Sequence, residues 1–425
     1  MNWPLTWLFI LVVAWFLIEA FCHPKKMYEF PCLAGVMTLG FILPQLPAAA
    51  NDMFLPEGAY SSTMLMGILC LLMLRLGWTL GKPVASFKIA FSEKKLLYVA
   101  ACFSMVGAYF YFLLSRVPGE LLIGVQVTGA PVIYLFFARF LTYGLGIALL
   151  CFAHRASVFS TAIIGFDLIF YLDRIIVSGS RAGAIELVMM VLLALWFHRG
   201  WIIPRGIMIA GIVAGTFFMA SMGDYRMVTR SHSAFVLDEI LEIDFAQNFE
   251  ETLSKGGEEI RNATLRIDDV NRRLVFDYGK FHWNKIVFNF VPAQIFGSAF
   301  KQSLELETPA LARDYNPSTG TTETGFSDAF ASFWYFGAVK FLILAWFMRS
   351  IWETANSGAM LGQLLYIMSI IPAMHAISHQ TDWVVPVWIH MAIFLGPVLY
   401  FCRIRMLNPL GQPQQSSFGV GYQLD

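Results

Sequence analysis

The residues of this chain best placed to do chemistry are a few cations set in apolar sequence. The segment Ser178-Gly179-Ser180-Arg181-Ala182-Gly183 joins two apolar stretches. Gly179 and Gly183 allow a tight turn, and Arg181 stands where the second stretch begins as a helix. The first N–H groups of a helix lack partners and favour anions. A guanidinium beside them offers a fork for phosphate or diphosphate. The competing reading has Arg181 capping the turn or pairing with Asp173 or Glu186. Arg139 lies roughly 13 Å inside an apolar segment at 1.5 Å per residue. A charge there costs about 2.5–3.5 kcal/mol on the insertion scale. It either pairs with Asp167, also mid-segment, or faces a cavity and holds an anion. Arg226, in Gly223-Asp224-Tyr225-Arg226, and Arg230 one turn on follow another apolar segment. Solvated surface charge is the simple account of both. Convergence of Arg139, Arg181 and Arg226 on one pocket is the sharper account.

Other polar groups carry weaker signals. His375 and His379 share a helix face at a spacing of four, with Asp382 as a third conceivable metal ligand. No H-E-x-x-H pattern accompanies them, so packing or sugar contacts are favoured over a metal. His282, Trp283 and the aromatics from Phe281 to Phe290 suit stacking on sugar rings, and suit interfacial anchoring equally. Arg75, Lys340 and Glu19 lie near the ends of apolar segments, where snorkelling explains them. The six cysteines fall in or beside apolar segments and show no disulfide or zinc spacing.

These residues need a membrane to position them. The chain has 425 residues, of which 57% are hydrophobic and 14% charged, against about 25% charged in soluble domains. Formal net charge is zero and no basic stripe stands out, so nothing points to nucleic acid. With about 20 apolar residues needed per crossing, the sequence predicts an all-α polytopic helical bundle of about eleven spans. They fall near 4–22, 29–47, 60–80, 95–115, 130–152, 157–176, 183–198, 202–222, 328–348, 358–378 and 383–402. Residues 1–222 thus hold spans one to eight, 223–327 one long loop, 328–402 the last three spans, and 403–425 a disordered cytoplasmic tail. Lys and Arg concentrate in alternate short loops, among them Lys25, Lys26, Lys94, Lys95, Arg199, Arg205 and Arg349. Apart from the long loop, which carries eleven Lys or Arg, the opposite loops hold only Arg116, Arg174 and Arg181. By the positive-inside rule the N-terminus and the long loop lie outside and the C-terminus inside. Within the loop, Asp238 to Lys255 and Glu258 to Leu274 read as amphipathic helices, and 276–300 as a segment packed back on the bundle.

One constellation resembles a known family. Ser178–Gly183 opens an outer helix. A long outer loop follows, then Tyr315-Asn316-Pro317-Ser318-Thr319-Gly320, Thr324-Gly325-Phe326-Ser327-Asp328 and Phe333-Trp334-Tyr335-Phe336-Gly337. This layout is similar to that of the Wzy-type oligosaccharide repeat-unit polymerases, relatives of the O-antigen ligases. The resemblance implies a metal-independent glycosyl transfer without cofactor, outside the bacterial inner membrane. A glycan leaves undecaprenyl diphosphate for a sugar hydroxyl of another lipid-linked repeat unit. Donor and acceptor lipids would be the partners, together with membrane lipid and a chain-length regulator protein. Arg181 matches the family's Ser-Arg motif and would hold the leaving diphosphate. Arg139 and Arg226 join it by location. The related ligases carry a His before the helix that follows the long loop. Here that neighbourhood offers Glu323 first and Asp328 second as the general base. His282, Trp283 and His379 are the candidate sugar contacts. Three other readings stand beside this one. An O-antigen-ligase-like enzyme would use the same donor. A GT-C-type glycosyltransferase would rely on Asp52 or Glu57. A flippase of lipid-linked glycans is disfavoured by the lack of internal repeats.

Overall fold

The computed structural model describes residues 2–87, 89–117, 129–232, 237–312, 315–318 and 322–404. Side chains of Arg230 and His232, Thr319 and Gly320 of the 315–320 motif, and the tail from 405 lie outside what is described. Among the described residues the chain is helical and has no strand, apart from a bridge between Phe91 and Arg403. Helices suit such a composition because each satisfies its own backbone where no water can.

The helices of the first half are α1 (Asn2–Cys22), α2 (Phe30–Asn51), α3 (Ala59–Leu80), α4 (Glu93–Ser115), α5 (Ala130–His154), α6 (Val158–Ile176), α7 (Arg181–Arg199) and α8 (Arg205–Ala220). A chain of shorter helices follows: α9 (Met222–His232), α10 (Leu237–Leu241), α11 (Phe245–Lys255), α12 (Glu258–Arg273), α13 (Lys280–Phe290), α14 (Ala293–Phe296) and α15 (Ser298–Leu304). The last spans are α16 (Gly325–Phe333) running through a tight turn into α17 (Val339–Asn356), then α18 (Met360–Ser378) and α19 (Thr381–Cys402).

Among the described residues nine helices are long and apolar enough to cross a membrane, where the sequence predicts eleven. The two that differ are α6 and α8. The first has the length, but Asp167, Asp173 and Arg174 make it more polar than the others. The second has only 16 residues, about 24 Å at 1.5 Å each, and bends by 67° into α9.

Backbone contact sets the tightest packing. α3 and α17 pack along one another, and a Cβ at Gly77 would strike the Leu342 carbonyl. α16 is seated the same way, since a Cβ at Gly325 would collide with the Ala376 carbonyl of α18. Small residues at helix crossings are how apolar helices approach closely in lipid.

The long segment is partly internal. α12 buries Ile260, Ala263, Ile267 and Val270, one helical stripe, against α3 and α16. The helix expected over Asp238 to Lys255 is two. It breaks at Glu242–Asp244 because the Asp244 carboxylate takes the N–H groups of Ala246 and Gln247, capping a new start. The reading of Lys340 and Arg75 as snorkelling cations is also corrected. The turn at Trp334–Ala338 shortens the rise between α16 and α17. It brings Lys340 Nζ to 2.8 Å from Ser332 Oγ and 3.5 Å from Asp328 Oδ1. Arg75 pairs with Glu19 at 2.9 Å, and Lys26 with the same oxygen at 2.5 Å.

Candidate functional site

Where α6, α7, α18 and α19 end together, three groups of polar side chains meet. The first is a cluster around Asp328. One oxygen accepts from the Thr381 N–H at 2.9 Å and from the Thr381 hydroxyl. His282 Nε2 lies 3.6 Å from that oxygen and 2.8 Å from Thr381 Oγ1, and Lys340 faces the other oxygen. The Asp328 side chain is only 3% exposed, so its acceptor capacity is spent on protein rather than offered outward. Burial lowers the His282 imidazole below its usual range. Asp328 opposes that shift and Lys340 adds to it. The His282 Nδ1 is buried and has no partner among the described residues.

Glu323 stands one turn before Asp328. It accepts from Ser327 Oγ at 3.0 Å and from Gln380 Nε2 at 3.2 Å. Burial raises its carboxyl above the ordinary range, with Arg266 acting to lower it and Asp328 raising it further. An upward shift by burial is how a carboxyl is tuned for proton transfer. Trp283, also a candidate sugar contact, donates to the Leu304 carbonyl at 2.8 Å and remains 45% exposed.

The second group is a chamber of about 420 Å³ between α4, α5, α6, α7, α18 and α19. Its polar wall is Arg139, Thr142, Tyr171, Arg174, Glu186 and His375. Arg139 sits at the junction between the Ala130–Ala138 and Phe140–His154 stretches of α5. Among the described residues it makes no ion pair. The expected partner Asp167 instead accepts from Ser104 Oγ at 2.8 Å. Arg174 approaches Glu186 at 3.7 Å, and Tyr171 donates to the same carboxylate at 3.3 Å.

Arg139 also lines a neighbouring cavity of about 290 Å³. That cavity shares Val132, Phe136 and Phe288–Phe290 with an apolar trough of about 430 Å³. The trough lies between α5, α13, α14 and α19 and has Lys301 at one side. An apolar trough, a smaller cavity at Arg139 and a polar chamber therefore adjoin one another through shared walls.

The third group surrounds Arg181. It does not line the chamber; its Nη1 donates to the Met219 carbonyl at 3.3 Å. Glu259, Arg181's nearest charged partner, is held by Gln45, whose Nε2 donates to its carboxylate at 3.2 Å. Arg226 Nε donates to the Gly179 carbonyl at 3.2 Å, and Gly179 itself takes φ +60°. A side chain there would be strained and would meet Arg226 Cγ. Thus Arg226 fastens the α6–α7 turn, and the three predicted arginines do not share the chamber wall. Arg174, not singled out as a ligand from the sequence, takes the second place beside Arg139. Its signal was present: outside the long loop, the opposite loops hold only three basic residues, and it is one of them.

His379 stacks on Phe41 with ring centroids 5.6 Å apart, and its Nδ1 meets Ser378 Oγ at 2.8 Å. Its ring is 5.2 Å from that of His375, while Asp382 turns to Lys285 at 3.8 Å. Among the described residues no group of three or more His, Cys, Asp or Glu is placed to hold a metal ion.

The turn after α18 ties these groups together. Gln380 holds Glu323, Thr381 holds Asp328 and His282, Asp382 faces Lys285, and Trp383 lines the chamber. No family model, curated protein or solved structure matches this chain.

Proposed function

We propose that this protein is a membrane glycosyltransferase that polymerises oligosaccharide repeat units carried on a polyprenyl diphosphate. The observation that carries the reading is the row of adjoining cavities, an apolar trough, a cavity at Arg139 and the polar chamber, with Arg139 in the wall shared by the last two. A lipid diphosphate has that sequence of parts: isoprenoid, two phosphates, sugar. In this arrangement Arg139 and Arg174 meet the diphosphate, and Arg181 is released from the role its motif implies. The reaction is a displacement at the anomeric carbon. An acceptor hydroxyl forms the new C–O bond while the bond to the diphosphate breaks and the diphosphate leaves with the electron pair. Glu323 takes the hydroxyl proton. Arg139 supplies positive charge where negative charge develops, in a site from which water is largely excluded. Asp328, held by Thr381, Lys340 and His282, positions the turn that carries Gln380 and Trp383. Exclusion of water also protects the donor from hydrolysis.

The same reading places the protein in a bacterial inner membrane. Residues 223–324 and the N-terminus then lie outside, as the Lys and Arg distribution directs. It also counts α6 and α8 as crossings, giving eleven. α6 starts at a capping box of Ser157 and Ser160, which is a polar membrane-edge start.

Purified protein in proteoliposomes, supplied with a lipid-linked repeat unit, tests the reading. Wild type yields a ladder of polymer lengths, and Arg139→Ala yields single units from protein that still elutes as a folded species. An unchanged ladder in Arg139→Ala sinks the assignment of the diphosphate site. Lipid translocation without a ladder in wild type sinks the transferase reading in favour of a flippase.

A further inference from the structure

A second apolar groove lies on the other side of the bundle, between α2, α7 and α8. It encloses about 510 Å³ and runs from Met27 and Trp201 at one end to Phe41 and Met219 at the other. The far end is where Arg181 sits. Its guanidinium donates to the carbonyl of Met219, a residue of the groove wall, and Ala184, one turn into α7, lines the groove as well. Arg181 has no ion pair among the described residues, and the carboxylate nearest in charge, Glu259, is already engaged by Gln45. Burial raises the Glu259 carboxyl above its ordinary range, while Arg181 and Gln45 act to lower it.

Two glycines give the groove its width. A Cβ at Gly211 or at Gly215 would meet nothing within 4 Å, so the space in front of α8 is open. Six methionines stand in the groove wall, and their flexible side chains adapt to a long branched chain. The groove therefore combines a passage as long as α8, about 24 Å, with a cation at its end and no carboxylate bound to that cation. This charge pattern matches a lipid with an anionic head. It repeats, at a separate place, the trough-plus-Arg139 arrangement.

We infer that the chain seats two polyprenyl-phosphate lipids at once: one in the trough leading to Arg139, the other in the groove leading to Arg181. The inference rests on the polymerase reading, because that reaction has two lipid-linked reactants, and it gives the groove to the one not bound at Arg139. The sugars of the two lipids would approach each other beneath His375. That residue lines the chamber and lies next to Met374, which lines the groove. Arg174 and Arg181 both act electrostatically on it. Arg181 thus holds a phosphate that stays, whereas Arg139 holds one that leaves.

The experiment uses the full chain in nanodiscs of phosphatidylglycerol and a photoactivatable polyprenyl diphosphate. Two labelled regions are expected, one within residues 129–137 and 288–296, the other within 207–219 and 36–40. Gly215→Trp, which enters open space, removes the second label only. It lowers polymer formation at least tenfold while leaving slow hydrolysis of the first lipid, in which water takes the acceptor's place at the anomeric carbon and polyprenyl diphosphate leaves. Val132→Trp removes the first label and this hydrolysis together. Label in the first region alone, or a Gly215→Trp protein with the wild-type ladder, overturns the two-seat arrangement while leaving the polymerase reading intact. Loss of the second label to excess phosphatidylglycerol as readily as to unlabelled polyprenyl diphosphate shows an ordinary bilayer lipid there, and overturns it too. If wild type gives no ladder but both labels, the polymerase reading has failed and the two seats have not.

Discussion

Charged side chains enter the apolar part of this chain at both ends of the bundle, and the two ends treat them differently. At one end a set of half-buried charges is paired. Glu19 takes Lys26 and Arg75, and Arg349 reaches Glu29 and Glu353. Trp78 donates to Glu29, and the Arg349 guanidinium lies over the Trp78 ring. At the other end, among the described residues, Arg139 lines cavities without an ion pair, and Arg181 donates to a carbonyl and a sulfur with Glu259 acting on it through space. The cost of bringing a charge into lipid is similar at both ends. Where protein supplies the opposite charge, the pair holds helices together. Where it does not, the missing charge belongs to something else. An unpaired guanidinium lining a void is thus better evidence of a ligand than arginine at a motif.

The sharpest way to break this contrast is to remove the unpaired cation. Arg139→Ala should lower polymer formation by about 10²–10³-fold, the usual effect of deleting one preorganised electrostatic contact to a transition state. Thermal stability should change little, since no partner is left unpaired. Densitometry of the ladder and a melting curve check both halves. A large fall in melting temperature would mean that Arg139 was structural after all.

Asp328 lies between the two regimes, because its charge is fully paired yet sits beside the chamber. Asp328→Asn should destabilise the fold by about 3–5 kcal/mol, the range for breaking a buried pair, and should reduce activity as a consequence. Lys340 and His282 would lose their partner together. The double variant Asp328→Asn with Lys340→Met should recover part of the stability, since it leaves no lone charge in the cluster. If the single variant melts like wild type, the cluster is not what fixes the Gln380–Trp383 turn.

Helix existence was largely legible, because runs of uncharged residues announce a crossing whatever its neighbours do. The site was less so. Arg139 was identified by depth alone, and depth is written in the sequence. Arg181 and Arg226 were identified by motif and location, yet which way a guanidinium points depends on who reaches it first. Here a Met219 carbonyl and a Gly179 carbonyl do so. The partners of Asp328 come from three separate elements, α13, α17 and the start of α19, while Asp328 itself stands on α16. Nothing in their spacing brings His282, Lys340 and Thr381 together. Lys340 was misplaced because the turn at Trp334–Ala338 breaks an otherwise uniform apolar run, and hydropathy has no sensitivity to such a turn.

A smaller effect sharpens the contrast through pH. Glu323 has a raised carboxyl pKa, so between the ordinary carboxylate value and that raised one the folded protein holds it protonated. A protonated carboxyl cannot accept the acceptor's proton. Polymer formation should therefore fall as pH drops through the raised value, above the range where free glutamate titrates. In Glu323→Gln the rate should be low and this acid limb absent, while donor labelling persists. An acid limb unchanged in Glu323→Gln assigns the titration to another group.

The smallest effect belongs to the closed end. Glu19 is 16% exposed and its partner Lys26 is 39% exposed, so water screens the pair and each contact contributes little. Glu19→Gln should cost about 1 kcal/mol at most, since the amide oxygen still accepts from Arg75. Activity per folded molecule should match wild type, because α1 touches neither the trough nor the chamber. The informative result would be the reverse. If Glu19→Gln spared stability but reduced turnover, charge at the closed end would be felt at the open one. The separation between structural pairs and ligand-seeking cations would then fail as a rule for this bundle.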